Sequence, residues 1–196
     1  MSARAGPLFT IGHSNRSLES VISMLRDAGA DMVVDVRRFP LSRTNPQFNS
    51  DVLRTELPSR QIGYEHWPDL GGRRKAQAQI AEATNAYWQN RSFHNYADYA
   101  LTAPFQAAIA DLVELARDRA PALMCSEAVW WRCHRRIIAD YLLARQIEVR
   151  HILDFGKISP AGMTPGAKPL ADGSVLYPGV EDCMFPSHPG SGGGMA

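Results

Sequence analysis

Residues 8–36 read LFTIGHSNRSLESVISMLRDAGADMVVDV, and the fold class turns on how that stretch divides. Leu8-Phe9-Thr10-Ile11 is a short β-prone run closed by Gly12-His13-Ser14-Asn15. Leu18, Val21, Ile22 and Leu25 then recur at the spacing of one helical face. Ser17 or Asn15 can cap its start, because a short side-chain oxygen accepts from the first free N–H groups. Gly29 is a natural stop, since glycine adopts the left-handed conformation that ends helices. Met32-Val33-Val34-Asp35-Val36 is almost continuously apolar. Two apolar strands joined by an amphipathic helix form a βαβ unit, which implies a parallel sheet buried on both faces.

The rest of the chain extends this pattern. Residues 37–49, polar and broken by Pro40 and Pro46, form a loop longer than most such connections, and long ordered loops often carry function. A helix is expected over 50–57, a strand over 63–67, and a turn over 70–74. Residues 76–88 and 95–101 are read as helical. A further helix follows Thr102, its expected cap, with Pro104 in the first turn and Phe105, Ile109, Leu112, Val113 and Ala116 on one face. Strand 122–125, helix 133–145 and strand 147–152 complete the set. The expectation is a single-domain, three-layer, Rossmann-like α/β fold over residues 7–155, with a mostly parallel sheet. Beyond residue 155 Gly, Pro and Ser take over, so 156–196 reads as a largely irregular or disordered tail, flexible at Gly190–Gly194.

Composition narrows the functional classes. With 21 basic and 20 acidic residues the net charge is +1, which argues against a generally basic nucleic-acid binder. Only Lys75, Lys157 and Lys168 are lysine, so arginine dominates, the side chain suited to forked contacts with phosphate or carboxylate. Three cysteines, an odd number, make no disulfide framework and fit a reduced, cytoplasmic setting. No apolar run resembles a signal peptide or a membrane span, so no membrane partner is expected.

In open parallel sheets ligands bind beyond the carboxyl ends of the strands. That rule selects His13 and Ser14 after the first strand, Asp35 and Arg37 after the second, and Cys125, Ser126 and Glu127 after the strand at 122–125. The segment Pro121–Arg136 adds Cys133, His134 and Arg135 at a helix start, where thiol pKa values fall and anions are favoured. Cys125 or Cys133 is then a candidate nucleophile, with His134 or Glu127 as proton carrier. His13, Ser14, Asp35, Arg37 and Arg135 are candidates for holding substrate. Each has a structural alternative. Cys125 can be a buried small hydrophobe, and His13 a satisfied core histidine. Asp35 can pair internally with Arg135, and Arg37 with Glu127. Trp130 and Trp131 fit core coverage better than base stacking. Cys125, Cys133, His134 and His13 are also soft metal ligands, but their spacing lacks the paired C-x-x-C arrangement, so no metal or cofactor is assigned.

The segments Cys125-Ser-Glu127 and Cys133-His134-Arg135 resemble the signature of the domain-of-unknown-function 488 family. So do Thr10-Ile11-Gly12-His13-Ser14, Val34-Asp35-Val36-Arg37, Pro40, Phe48-Asn49 and Leu70-Gly71-Gly72. The resemblance runs from about residue 8 to 153 in the order the family implies. It departs within the loop, where many members carry an acidic residue and a proline and this chain has Val129 and Trp130. The resemblance implies a compact α/β domain of bacterial or archaeal origin and assigns no reaction.

Taken together, these readings point to a cysteine-dependent enzyme, a hydrolase or transferase, acting on an anionic substrate: a phosphate-bearing small molecule or nucleotide. One alternative is a nucleotide or nucleic-acid binding module that stacks bases on Trp67, Trp130 and Trp131. The other is a metal- or redox-sensing domain.

Overall fold

A computed structural model describes residues 6–179. Cys183 and the glycine run at 190–194 lie outside the described residues. The 8–36 stretch folds as β1 (Leu8–Gly12), α1 (Leu18–Ala28) and β2 (Met32–Asp35). Ser17 caps α1 by accepting from the Ser20 N–H, and Gly29 closes it in the left-handed conformation, φ 77°. The chain continues through α2 (Ser50–Glu56), β3 (Gly63–His66), α3 (Arg91–Ala100), α4 (Ala103–Asp118), β4 (Pro121–Cys125), α5 (Arg135–Ala144) and β5 (Val149–Asp154). A sixth strand, β6 (Lys157–Pro160), and two short ones, β7 (Lys168–Pro169) and β8 (Val175–Leu176), follow.

The main sheet has the order β3-β2-β4-β1-β5-β6. Its first five strands are parallel, and only β6 runs antiparallel. Side-chain alternation along each strand divides the core in two. Phe9, Ile11, Val33, Ala122 and Met124 pack with Val21, Ile22 and Leu25 of α1 and Leu53 of α2. Leu8, Met32, Val34, Leu123 and Cys125 pack on the opposite face with Tyr96, Phe105, Ile109, Ile137 and Tyr141 of α3, α4 and α5. The result is the three-layer α/β architecture expected.

That layering places a crevice. The connections leaving β1 and β2 go to one face, and the connection leaving β4 goes to the other. Because β4 lies between β1 and β2, the chain diverges on both sides of its carboxyl end, which is the topological switch point where ligands bind in such sheets.

Several expectations are corrected. Residues 76–88 hold only a short 3-10 turn, Glu82–Asn85, and the helix expected at 95–101 begins earlier because Asn90 caps it, accepting from the N–H groups of Ser92 and Phe93. Thr102 sits at the start of α4, but its hydroxyl donates to the Tyr99 carbonyl instead of capping. Within the largely irregular tail expected after 155, residues 157–179 carry three short strands and buried anchors. β6 extends the sheet, and Val175 and Tyr177 are fully buried. No described helix is long and apolar enough to cross a membrane.

Candidate functional site

β4 ends at Cys125, directly beside Gly12 of β1, and the ladder continues past both strand ends. His13 N–H donates to the Cys125 carbonyl at 2.9 Å and Ser14 N–H to the Ser126 carbonyl at 3.0 Å. The loop after β4 then passes so close to β1 that a Cβ on Gly12 would lie 2.0 Å from the Glu127 carbonyl oxygen. Glycine is required there by contact, not by backbone angle.

His13 is 1 % exposed and its ring stacks on Phe48, centroids 4.1 Å apart. Its Nδ1 donates to the Ser14 carbonyl at 2.8 Å, leaving Nε2 as an acceptor 3.3 Å from Arg37. Burial and the neighbouring guanidinium hold the imidazole neutral, with its pKa lowered to about 4. Ser14, at φ 50°, serves through its carbonyl and does not line the cleft.

Asp35 and Arg37 form one buried pair. They stand two residues apart at the end of β2, so both side chains lie on the same side, as strand alternation dictates. Arg37 donates from Nε at 2.8 Å and from Nη2 at 2.5 Å to the two carboxylate oxygens. It also donates to the Phe48 carbonyl at 2.7 Å, and Tyr64 Oη donates to Asp35 at 2.8 Å. The internal pairs expected, Asp35–Arg135 and Arg37–Glu127, are replaced by this one. Asp35 is fully buried and therefore positions Arg37 without meeting a ligand.

The Cys-His-Arg segment enters from the other side of β4. His134 Nε2 donates to the Val36 carbonyl at 3.0 Å, so Nδ1 carries the lone pair in the neutral ring, and it faces Cys133 Sγ at 3.5 Å. Burial keeps this imidazole below its ordinary pKa. Gly72 makes room for it, since a Cβ there would lie 2.8 Å from Nδ1. Arg135, 1 % exposed, donates from Nε to Cys133 Sγ at 3.3 Å and from Nη2 to the Glu127 carbonyl. Among the described residues no carboxylate pairs with this guanidinium. The sulfur of Cys133 is its counter-ion in effect. Burial pushes the Cys133 thiol up, but the Cys125 thiol hydrogen and Arg135 outweigh it and bring the pKa down to about 6. Cys125 moves the other way, raised by its hydrogen bond to Cys133 and by burial.

Two adjoining cavities open on this cluster. One, of about 310 Å³, is lined by His13, Arg37, Arg38, Arg73, Cys125 and His134, with Phe39, Leu41, Ser42 and Asn45 at its outer wall. The other, of about 170 Å³, reaches Cys125, Cys133 and His134 past Tyr96, Phe93, Arg132 and Glu127. Glu127 is exposed there and accepts from the Val129 N–H. Sequence reasoning gave no site role to Tyr64, Phe48, Arg38 or Arg73, although Phe48 stands in one of the motifs that resemble the family. The length of the 37–49 loop was the available signal for two of them. Trp131 is exposed, whereas Trp130 stacks on His151 at 4.1 Å and covers the core.

The family model for the domain of unknown function DUF488 matches residues 17–142, from the cap of α1 to within α5. The chain belongs to this family. The match takes in Asp35, Arg37, Cys125, Glu127, Cys133, His134 and Arg135 and begins after His13, so it is shorter than the span over which the motifs run. Comparison with curated proteins and with solved structures returned no match.

Proposed function

We propose that this DUF488 member is an enzyme acting on an anion-bearing small molecule of the phosphate-ester or nucleotide class, with its reactive centre at Cys125, Cys133 and His134. One observation carries the reading. The larger cavity meets the sulfur cluster at the switch point, and its charged lining consists of Arg37, Arg38 and Arg73 with no carboxylate. Such a wall favours an anion and leaves the sulfurs beside it. Arg37 is committed to Asp35, Phe48 and His13 and still keeps part of its Nη1 donor capacity. Arg38 and Arg73 are exposed at the rim, free to close on a ligand. Phe39 and Leu41, also exposed, offer an apolar wall for the uncharged part of the substrate.

The test is a ligand panel of nucleotides, phosphorylated metabolites and their neutral counterparts, read by thermal shift and calorimetry. An anion should bind and its neutral counterpart should not. Arg73→Ala should weaken that binding roughly 10- to 100-fold, the worth of one charge-assisted hydrogen bond at ~1.5–3 kcal/mol. Cys133→Ser should keep the binding and lose turnover of the bound compound. Retained turnover in that variant, or equal affinity for neutral analogues, would refute the reading.

A further inference from the structure

The two sulfurs and the imidazole are arranged more closely than an anion site alone requires. Cys125 Sγ, Cys133 Sγ and a ring nitrogen of His134 all lie within 4.8 Å of one another. We propose that these three side chains hold one zinc-class divalent ion, with its fourth coordination position open to the cleft. This rests on the preceding reading only in taking the cluster as the reactive centre, and it specifies what that centre contains.

Geometry is the first support. Zinc bonds of about 2.3 Å to sulfur and 2.0–2.1 Å to nitrogen set the S···N edge of a tetrahedron at about 3.6 Å and the S···S edge at about 3.8 Å. The Cys133 Sγ to His134 Nδ1 distance is 3.5 Å. The second support is the tautomer. A metal-bound histidine generally donates its other N–H to a carbonyl or carboxylate, which fixes the ring and frees the ligating lone pair. His134 donates Nε2–H to the Val36 carbonyl, and Gly72 leaves the space its Nδ1 edge needs. The third is the sulfur's outer partner: Arg135 Nε–H donates to Cys133, as an N–H group does to a metal thiolate.

Three protein ligands and an open place distinguish a catalytic zinc site from a closed structural one. Cys125 and His134 line both cavities, so that place faces the anion pocket. His13 is excluded as a fourth ligand. Its Nδ1–H is spent on Ser14, and its Nε2 accepts from Arg37. With the ion bound, the thiolate lone pairs are committed to it, and the ion polarises the oxygen of an anionic substrate or a water. The two C-x-x-C pairs whose absence argued against a metal are a mark of structural zinc, and this site is built from strand end and helix start instead.

The experiment strips the full-length protein with chelator, adds zinc chloride alone, and measures bound metal after gel filtration. One equivalent should remain. Cobalt(II) in its place should give the intense thiolate-to-metal absorption of a two-sulfur site. Cys125→Ser and Cys133→Ser should each weaken zinc binding by more than the ~10–100-fold that loss of an outer partner causes. His13→Gln should bind as the parent does. If the cysteine variants misfold, His134→Gln and zinc protection of Cys125 and Cys133 against alkylation in the unaltered protein decide the matter. Zinc retained undiminished in the cysteine variants, or two thiols that alkylate equally with and without zinc, would overturn the site. Anion binding by the stripped protein is measured in parallel, so that loss of the metal site and loss of the anion reading register separately.

Discussion

Asp35 keeps a carboxylate at zero exposure because four donors surround it: the Arg37 N–H, Nε and Nη2 and the Tyr64 hydroxyl. Removing it leaves a guanidinium buried without its charge partner, the costly half of a broken ion pair. Asp35→Ala should therefore lower stability by about 3–5 kcal/mol in urea unfolding, and Tyr64→Phe by only about 1 kcal/mol. A loss below about 1 kcal/mol for Asp35→Ala would mean that Arg37 finds its compensation elsewhere. Gly12 tests a different contact. In Gly12→Ala the new methyl meets backbone at Glu127 and Ala128, which cannot rotate away. The β4–α5 loop must shift, at about 1–3 kcal/mol, and anion binding should weaken with it. These residues also show what sequence could and could not reveal about the site. The carboxyl-edge rule selected His13, Ser14, Asp35, Arg37, Cys125, Ser126 and Glu127, and the helix start added the Cys-His-Arg triplet; these side chains lie around the end of β4, except that Ser14 does not line the cleft. Their pairings stayed hidden. Strand alternation puts Asp35 and Arg37, two residues apart, on one face, but nothing in the sequence says that they pair with each other and not with Arg135 and Glu127.

At the scale of elements, residues 161–179 lace α5 to the segment before α3. Asp140 of α5 accepts from the Thr164 N–H and the Tyr177 hydroxyl, both at 2.8 Å. Asn85 accepts from the Tyr177 N–H at 3.0 Å and donates to Asp98 of α3 at 2.8 Å. Tyr141 donates to the Val175 carbonyl at 3.1 Å. Tyr177→Ala should then cost about 3–5 kcal/mol, as truncation of a fully buried aromatic does, measured as a shift in the urea midpoint. A change within about 0.5 kcal/mol, the range of an ordinary surface substitution, would show that the segment does not support the domain. The strands β1, β2, β4 and β5 and the helices α1, α4 and α5 were legible because each carries an apolar run or a sustained apolar period. The 157–179 segment was not. Its order comes from isolated anchors, Thr164, Val175 and Tyr177, that meet polar groups distant in sequence, and no periodicity signals such contacts. The same holds for 76–88, whose alanine content suggests a helix while Asn85 is drawn into the Asp98–Tyr177 network.

Over the whole molecule, two histidines at separate places, besides His134 of the sulfur cluster, are buried in their neutral form. His13 sits at the carboxyl end of β1, and His151 lies on β5 between Thr10 and Trp130, its Nε2 buried without a partner. Burial lowers the pKa of each to about 4, with Arg37 opposing charge on His13 and Arg135 on His151. At pH 7 both are neutral in the folded and the unfolded chain and make no pH-dependent contribution. Below about 6.5 the unfolded chain takes up a proton at each that the folded chain refuses, so stability falls with falling pH. The loss runs from about 6.5 to about 4 at roughly 1 kcal/mol per pH unit for each histidine, and it ends once the folded state protonates too. Asp140, raised by burial, works in the opposite sense in the acid part of that window. Urea unfolding of the parent at several pH values from 7 to 4.5 should show the decline. His151→Leu, which removes one titrating group and its unpartnered nitrogen together, should reduce the slope by roughly 1 kcal/mol per pH unit, while His13 and His134 keep theirs. Parallel curves for the two proteins would mean that His151 takes up its proton in the folded state, which would require Trp130 and Arg135 to move away from it.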